Sequence, residues 1–393
     1  MADELAYALI TPYSLLKSRT GGIISRLLLA DLELVGARMM APDNDFVDRY
    51  KELLVEQGIE SPVKEALLDY CDAYLRPDNR LGISNRVMLL LFQGPQATRA
   101  LKDDVVGTLS RVPRGDTVRG TYGDFVADSD GSVHYIEPAV FISPDPAVTP
   151  RHLHLFSECV DKVGGIVGHA VKIPPGTPTE TTLVVLKPDN FRRRSSRAGN
   201  IVDMFAKTGL FIVGAKVLRF SVAQAEEFYG PLRKIFVEKL RGNVARRAGA
   251  ALREAFEFDV PPQAMEQIGD ILKDYNAEHE FNRIIKYMTG RDPARLTSPG
   301  ERHLPGTEKC LALLYLGEQA ISKIRGRLGS TNPNEAEAGS VRSVYGDDLM
   351  RNAAHASDSP ASAERERRIV GLWEDSPPSE AKRIIDQYLA SRQ

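Results

Sequence analysis

The sequence predicts an α/β chain of the α+β kind, built as two ferredoxin-like βαββαβ domains whose antiparallel sheets are covered by helices. Three observations lead there. The chain repeats itself once, short apolar runs alternate with amphipathic ones, and the stretches between apolar runs are not consistently long enough for a purely parallel sheet. The repeat can be read directly: YALITPYSLLKSRTGGIISRLLLADLELVGARMM (7–40) is echoed by LVVLKPDNFRRRSSRAGNIVDMFAKTGLFIVGAKVL (183–218), and TVRGTYGDF (117–125) by SVRSVYGDD (340–348). A spacing near 180 residues means two copies of one domain and not a solenoid.

Each copy opens with an apolar strand that ends in a Pro-containing loop, at Thr11-Pro12 and at Lys187-Pro188. An amphipathic helix follows, then a strand ending in Val-Gly-Ala-Arg or Val-Gly-Ala-Lys. The copies are unequal: Pro12 and Pro188 stand 176 positions apart, but Arg119 and Arg342 stand 223 apart, so the second copy carries about 47 extra residues. The excess is expected mainly in 241–280, where apolar residues recur at helical spacing and predict packing against the domain or a subunit. The rest is expected in 291–307, rich in Pro and Gly and read as loop. The organisation expected is therefore 1–163 for the first copy, 164–180 for a Gly- and Pro-rich linker, and 181–393 for the second copy with its insertions.

Composition narrows the function classes. The 393 residues carry 51 Lys plus Arg against 53 Asp plus Glu, a net charge of −2 that leaves no whole-chain footprint for nucleic acid. No apolar run approaches the roughly 18 residues of a membrane span, and the acidic N-terminus lacks a secretion-signal pattern. Cys71, Cys159 and Cys310 have no metal-site spacing and fit plain thiols in a reducing cytoplasm. FRRRSSR (191–197) reads as a solvated loop because no aromatic residues interleave it. HLH at 152–154 is too sparse for a metal site and reads as helix surface. GGIVG (164–168) lacks dinucleotide-loop spacing, and no Gly-Lys pair supplies a P-loop.

The informative stretch is RNAAHASDSPASAERE (351–366). His355 sits among small residues, with room beside its ring and without the large apolar neighbours of a core histidine. An imidazole can act as nucleophile if its second nitrogen is held by an acceptor that fixes the tautomer and stabilises the cation formed. Ser359 and Pro360 predict a helix start, as N-cap and first helical residue, which places Glu364 and Glu366 in early turns from which either could reach the ring. A phosphoryl electrophile would also need cations, and Lys187, Arg325 and Arg342 are candidates, with Thr331 in the turn-like STNP.

With these residues in hand, the second copy resembles the nucleoside diphosphate kinase family. LKPDN (186–190) is similar to its lysine-bearing strand end, EEFYGPL (226–232) to its tyrosine helix, and IRGRLGSTNP (324–333) to its arginine and threonine loop. VRSVYGD (341–347) is similar to its second arginine, and NAAHASDSPASAERE (352–366) to its active-histidine motif. The resemblance implies a ping-pong reaction in which His355 takes the γ-phosphate of a nucleoside triphosphate such as ATP and passes it to a diphosphate. It implies that Glu366 and Ser357 support the ring, that Asn352 sits beside sugar and phosphates, and that Tyr229 lies near the reacting group. Lys187, Arg325, Arg342 and Thr331 would bind phosphate, with Mg²⁺ carried on the nucleotide phosphates and no protein cage for the metal. It also implies an oligomer, here with the two copies paired within one chain. Glu280 and Phe281 stand nearest the family's base-stacking aromatic, and neither is assigned to it.

The first copy resembles the family in outline only. Thr11 stands in the place of Lys187, Pro138 in that of Asn352, and Phe141 in that of His355; Arg119 is kept. A phenyl ring cannot be phosphorylated, so this copy is expected to be degenerate. The rival expectation for the whole chain is a non-catalytic nucleotide-binding or interaction protein whose insertions have closed the site; onward transfer to a protein side chain is a third.

Overall fold

The computed structural model describes residues 3–56, 61–109, 114–143, 145–374 and 376–392. Met1 and Gln393, the outer ends of the expected copies, lie outside the described residues. Contacts divide the chain into two units, Met1–Leu218 with Leu311–Gln393, and Arg219–Cys310.

Both copies of the repeat lie in the first unit. The first runs through β1 (Glu4–Ile10), the helix Thr20–Leu27, β2 (Glu33–Met40), the helices Asn44–Val55 and Ser61–Tyr70, and β3 (Val87–Gly94). It then adds a hairpin, β4 (Asp124–Ala127) and β5 (Val133–Glu137), before β6 (Val140–Ile142) and the helix Thr149–Cys159. The second runs through β7 (Glu180–Leu186), the helix Arg197–Ala206, β8 (Phe211–Leu218), β9 (Cys310–Gly317), the helix Ala320–Leu328, β10 (Ala354–Ala356) and the helix Pro360–Ile369. Strand order is β2-β3-β1-β6 in one sheet and β10-β7-β9-β8 in the other. These are one ferredoxin-like order read from opposite ends, so the fold predicted from the repeat is the fold observed.

The alternation of side chains along each strand distributes them between layers. In β1, Ala6, Ala8 and Ile10 join a core cluster that also holds Val184, Leu186 and Phe205 of the second copy, whereas Leu5, Tyr7 and Leu9 face a cluster confined largely to the first copy's own helices. The two copies thus pack within one chain over a shared core. Their central helices meet at Gly21 and Gly199, where a Cβ on Gly199 would lie 2.4 Å from the Gly21 carbonyl oxygen. Ser25 Oγ donates to Ser196 O at 3.1 Å and to Asn200 Oδ1 at 2.9 Å across the same contact. The segment 164–180 is no loose tether: Gly165 N donates to Met39 O and Val167 N to Val213 O, both at 2.9 Å, fastening it to β2 and β8.

The second unit consists of the helix Val222–Tyr229, opened by a Ser221–Gln224 capping box, two long helices, and the 3₁₀ turns Pro293–Arg295 and Pro299–His303. The long helices, Leu232–Phe256 and Pro262–Thr289, form an antiparallel hairpin closed through small residues. Gly269 meets Ala245, and a Cβ on Gly249 would lie 2.3 Å from Met265 Sδ. Arg233–Glu278 (2.7 Å) and Arg241–Asp270 (2.9 Å) bridge the two helices outside that seam. Small residues make much of the contact between the two helices, while Ile235, Ile271 and Tyr275 stay exposed.

One expectation fails in the first copy. HLH lies on a helix as expected, but His152 is fully buried, not on its surface. Its Nδ1 lies 2.8 Å from Tyr7 Oη, which lies 3.0 Å from Tyr50 Oη. A helix that packs one face on a sheet buries whatever falls on that face, and this polar trio satisfies itself there.

Candidate active site

The edge strand β10 brings the histidine to the first strand of its copy. His355 pairs with Val185 of β7, and the backbone amide of Lys187, two residues further on, donates to Ala353 O at 3.0 Å. Ala353 holds a left-handed φ of +69°, and Ala139 a φ of +59° at the same point before β6. A non-glycine residue there costs about 1 kcal/mol. Both copies keep the kink that turns the chain into the edge strand.

The helix Pro360–Ile369 starts where Ser359 and Pro360 predicted it, with Ser359 Oγ accepting from Ser362 N at 3.1 Å. Its second turn carries Glu366 under the ring. His355 Nε2 lies 2.8 Å from Glu366 Oε2, and Ser357 Oγ donates to the same oxygen at 2.7 Å. Arg365 Nη2 reaches Glu366 Oε1 at 3.3 Å. The His355 side chain keeps 23 % of its exposure while that of Glu366 keeps 5 %, an accessible ring on a buried acceptor.

Beside this trio lies a second group. Lys187 Nζ donates to Asn352 Oδ1 at 2.7 Å and to Met350 O at 3.0 Å. Asn352 Nδ2 donates in turn to Thr331 O (3.0 Å) and Leu349 O (3.1 Å). Thr331 therefore meets the site through its carbonyl as well as its sequence position. Arg342 Nη1 donates to Gly329 O (3.1 Å) and Nη2 to Ala354 O (3.2 Å), tying that loop to β10. Arg325 is exposed at the end of the helix Ala320–Leu328. The carboxyl of Asp358 is held below its ordinary range by hydrogen bonds from Ser362 and Ser359 and by the charge of Arg325. Tyr229 belongs to the other unit, where it is buried with its ring 5.0 Å from that of Phe228. Phe281, also in that unit, is fully buried with the Arg233 guanidinium 4.1 Å from its ring centroid.

Sequence reasoning missed Asn190. Its Nδ2 donates to Lys187 O at 2.9 Å and to Ala353 O at 2.6 Å, fastening the lysine loop to the histidine strand. An Asn directly after Lys-Pro-Asp was the available signal, since its side chain readily bonds nearby backbone.

The first copy shows what replaces this machinery. Phe141 pairs with Leu9 in the register that His355 takes on Val185, and its ring is buried against Tyr50 and Tyr70. Thr11 Oγ1 donates to Glu137 Oε1 at 2.9 Å, so a carboxyl group stands where the second copy offers a lysine. Burial pushes that carboxyl up to about 7. Arg119 repeats the bonds of Arg342, to Gly107 O (2.8 Å) and Val140 O (3.3 Å). The retention of this arginine in a copy without the histidine reflects its work as a backbone brace.

Among the described residues no group of three or more His, Cys, Asp or Glu side chains could hold a metal ion, and no helix is long and apolar enough to cross a membrane.

Comparison with known proteins bears on the second half. A family model described as nucleoside diphosphate kinase matches residues 180–245 and 304–371. A nucleoside diphosphate kinase of Methanobrevibacter smithii is 36% identical over 143 residues, covering 34% of this chain and 84% of the relative. One from Pyrobaculum aerophilum is 29% identical over 209 residues, covering 49% and 94%. The crystal structure of an NDP kinase from Pyrobaculum aerophilum aligns with 26% identity over 50% of this chain and 97% of the other, at a TM-score of 0.33.

Proposed function

The chain belongs to the nucleoside diphosphate kinase family, and from that premise we propose that it moves the γ-phosphate of a nucleoside triphosphate, ATP among them, to a nucleoside diphosphate through phospho-His355. The observation that carries the proposal is the hold of Glu366 on His355 Nε2, reinforced by Ser357. With the Nε2 proton donated to Glu366, the ring's lone pair lies on Nδ1. That nitrogen attacks the γ-phosphorus, the bond to the bridging oxygen breaks, and the diphosphate leaves. The ring becomes cationic on bonding, and the buried carboxylate below it stabilises that charge most when the phosphoryl group has arrived. An incoming diphosphate oxygen then takes the phosphoryl group and returns the neutral ring.

Lys187, Arg342 and Arg325 supply the positive charge this transfer needs, with Asn352 and Thr331 shaping the place between them. Lys187 Nζ donates to Asn352 Oδ1 and to Met350 O, which holds the ammonium group in the loop before the histidine strand. The donor set fits Mg²⁺ arriving on the phosphates: Glu366 is committed to His355, Ser357 and Arg365. The ion would neutralise charge on the phosphate oxygens. Association of chains into a homo-oligomer is the further expectation, which a monomeric mass in solution overturns.

The test is incubation with γ-labelled ATP and Mg²⁺, an alkaline quench, and a parallel chase with GDP. The expected result is alkali-stable, acid-labile label that is absent in His355→Ala and passes to GDP. Label that stays on the protein would mean transfer elsewhere. ATP binding without label would mean a binding protein in place of an enzyme.

A further inference from the structure

The segment Phe191–Arg197 is the loop expected from sequence, with Arg192, Arg193 and Arg194 exposed, and it is tied down at several points. Arg194 pairs with Asp31 of the first copy. Ser25 of that copy donates to Ser196 O at 3.1 Å and to Asn200 Oδ1 at 2.9 Å. Arg197 turns back on its own copy: Nε donates to Asn190 Oδ1 and Nη2 to Asp189 Oδ2, both at 3.0 Å, and its guanidinium lies 5.8 Å from the Tyr345 ring centroid. Anchored from both sides, the loop borders a cleft of about 480 Å³.

Arg192, Arg193, Arg197 and Arg351 line this cleft, with the hydroxyls of Ser195 and Ser196 between them. Two carboxylates, Asp189 and Asp347, also face it, and Asp189 is taken up by Arg197. Arg351 pairs with Asp348 at 2.8 Å, so the positive excess of the lining rests on Arg192 and Arg193 against Asp347, and arginine forks with neighbouring hydroxyls are the donors that grip phosphate oxygens. A loop already fixed by Asp31 and Ser25 loses little freedom when an anion settles on it. None of Lys187, Arg325, Thr331, Arg342, Asn352 or His355 lines the cleft.

We propose that this cleft is a second anion site, taking a polyphosphate group carried either by inorganic triphosphate or by a nucleotide; its volume is in the range that admits such a ligand. The site also gives the degenerate copy a task, because Asp31 and Ser25 hold its wall. Asp189 lies two residues beyond Lys187 and Arg351 directly precedes Asn352. An occupant therefore bears on the two loops that Lys187 and Asn352 join.

Calorimetric titration of the full chain decides the matter. ADP with Mg²⁺ is titrated first, then inorganic triphosphate into the ADP-saturated chain, with wild type, Arg192→Glu/Arg193→Glu and Asp31→Asn compared. One ADP site followed by one triphosphate site, with the latter weakened at least tenfold in the double variant and several-fold in Asp31→Asn, supports an inorganic ligand. Two ADP sites, one of them lost in the double variant, supports a nucleotide. No site beyond the first, or a second site indifferent to Arg192 and Arg193, overturns the proposal. So does a double variant that changes the mass in solution but still binds triphosphate, which makes the cleft an interface between chains. If the double Glu variant does not fold, Arg192→Gln/Arg193→Gln carries the same comparison. These readouts do not depend on phosphotransfer by His355, so an inactive chain leaves the test intact.

Discussion

Glu366 and Glu137 are both buried carboxyl groups, and their partners set them apart. Glu366 has a histidine, a serine and an arginine around it, and the proposed reaction makes use of its charge when the ring above becomes cationic. Glu366→Gln keeps an oxygen for Nε2 but removes that charge. Loss of a charge-assisted bond in the transition state is expected to lower kcat roughly 10- to 100-fold. Steady-state exchange should show this with KM for the diphosphate almost unmoved; a change confined to KM would refute the role. Glu137 meets the neutral donors Tyr70, Thr11 Oγ1 and Ala139 N, with the charge of Arg19 a lesser influence, and burial outweighs them and pushes it up to about 7. An unfolded Glu titrates near ~4.3. Between these values the folded chain keeps a proton that the unfolded chain has released, so stability falls as pH rises through that window. His152, pushed down to about 4 by burial, acts oppositely and withdraws stability as pH falls below ~6.5. Glu137→Gln should therefore raise stability at pH 8 by roughly 1–3 kcal/mol and change little at pH 4. Denaturant midpoints at the two pH values check this, and equal shifts at both would sink it. His355, Lys187 and their replacements Phe141 and Thr11 were legible because strand register fixes their equivalence. Glu137 and Asn190 were not, since one partner of each, Thr11 and Ala353, comes from across the fold.

At the scale of the element, the helices Thr20–Leu27 and Arg197–Ala206 approach closely because each carries glycine where they touch. A Cβ on Gly199 would lie 2.3 Å from the Ser25 amide nitrogen, a backbone atom that cannot swing aside. Gly199→Ala should therefore push the helices apart and destabilise the chain by about 1–3 kcal/mol, despite alanine's better helix propensity. A variant as stable as wild type would mean that the helices separate freely. The repeat already pointed to both helices, and the Ser-Pro start of the helix Pro360–Ile369 was readable from local chemistry alone. The insertion was harder. Its spacing predicted helices near 241–280, whereas they run from Leu232 to Phe256 and from Pro262 to Thr289. Glycines and alanines seal this hairpin, and small residues leave little hydrophobic pattern to read.

At the scale of the molecule, the chain closes on itself at its end. Beyond Glu366 and its helix, Lys216 Nζ donates to Val370 O at 2.8 Å, and the helix Glu380–Ala390 then crosses to the first copy. Ala381, Ile385 and Leu389 enter that copy's core cluster. Asp161 accepts from Ser379 N at 3.1 Å while pairing with Arg38 at 3.3 Å, so a carboxylate before the linker holds the start of the last helix. Arg38 and Lys216 occupy matching places in β2 and β8, and burial pushes both below their ordinary values. Asp161 beside Arg38 and Glu380 near Lys216 offset that penalty. Ile385→Asp places a carboxylate in this core and is expected to cost about 3–5 kcal/mol. Hydrogen exchange should show protection lost first in the helix Thr149–Cys159, against which the last helix packs. The shared core carries the argument further: Ala8 and Ile10 lie in one cluster with Val184, Leu186 and Phe205, so neither copy's apolar layer is complete alone. The first unit should therefore unfold in one transition, and residues 181–393 expressed alone should bind apolar dyes and lack a cooperative unfolding curve. A fragment that unfolds cooperatively at the full chain's midpoint would mean that the degenerate copy is a passenger; the common core requires it to be the other half of the fold.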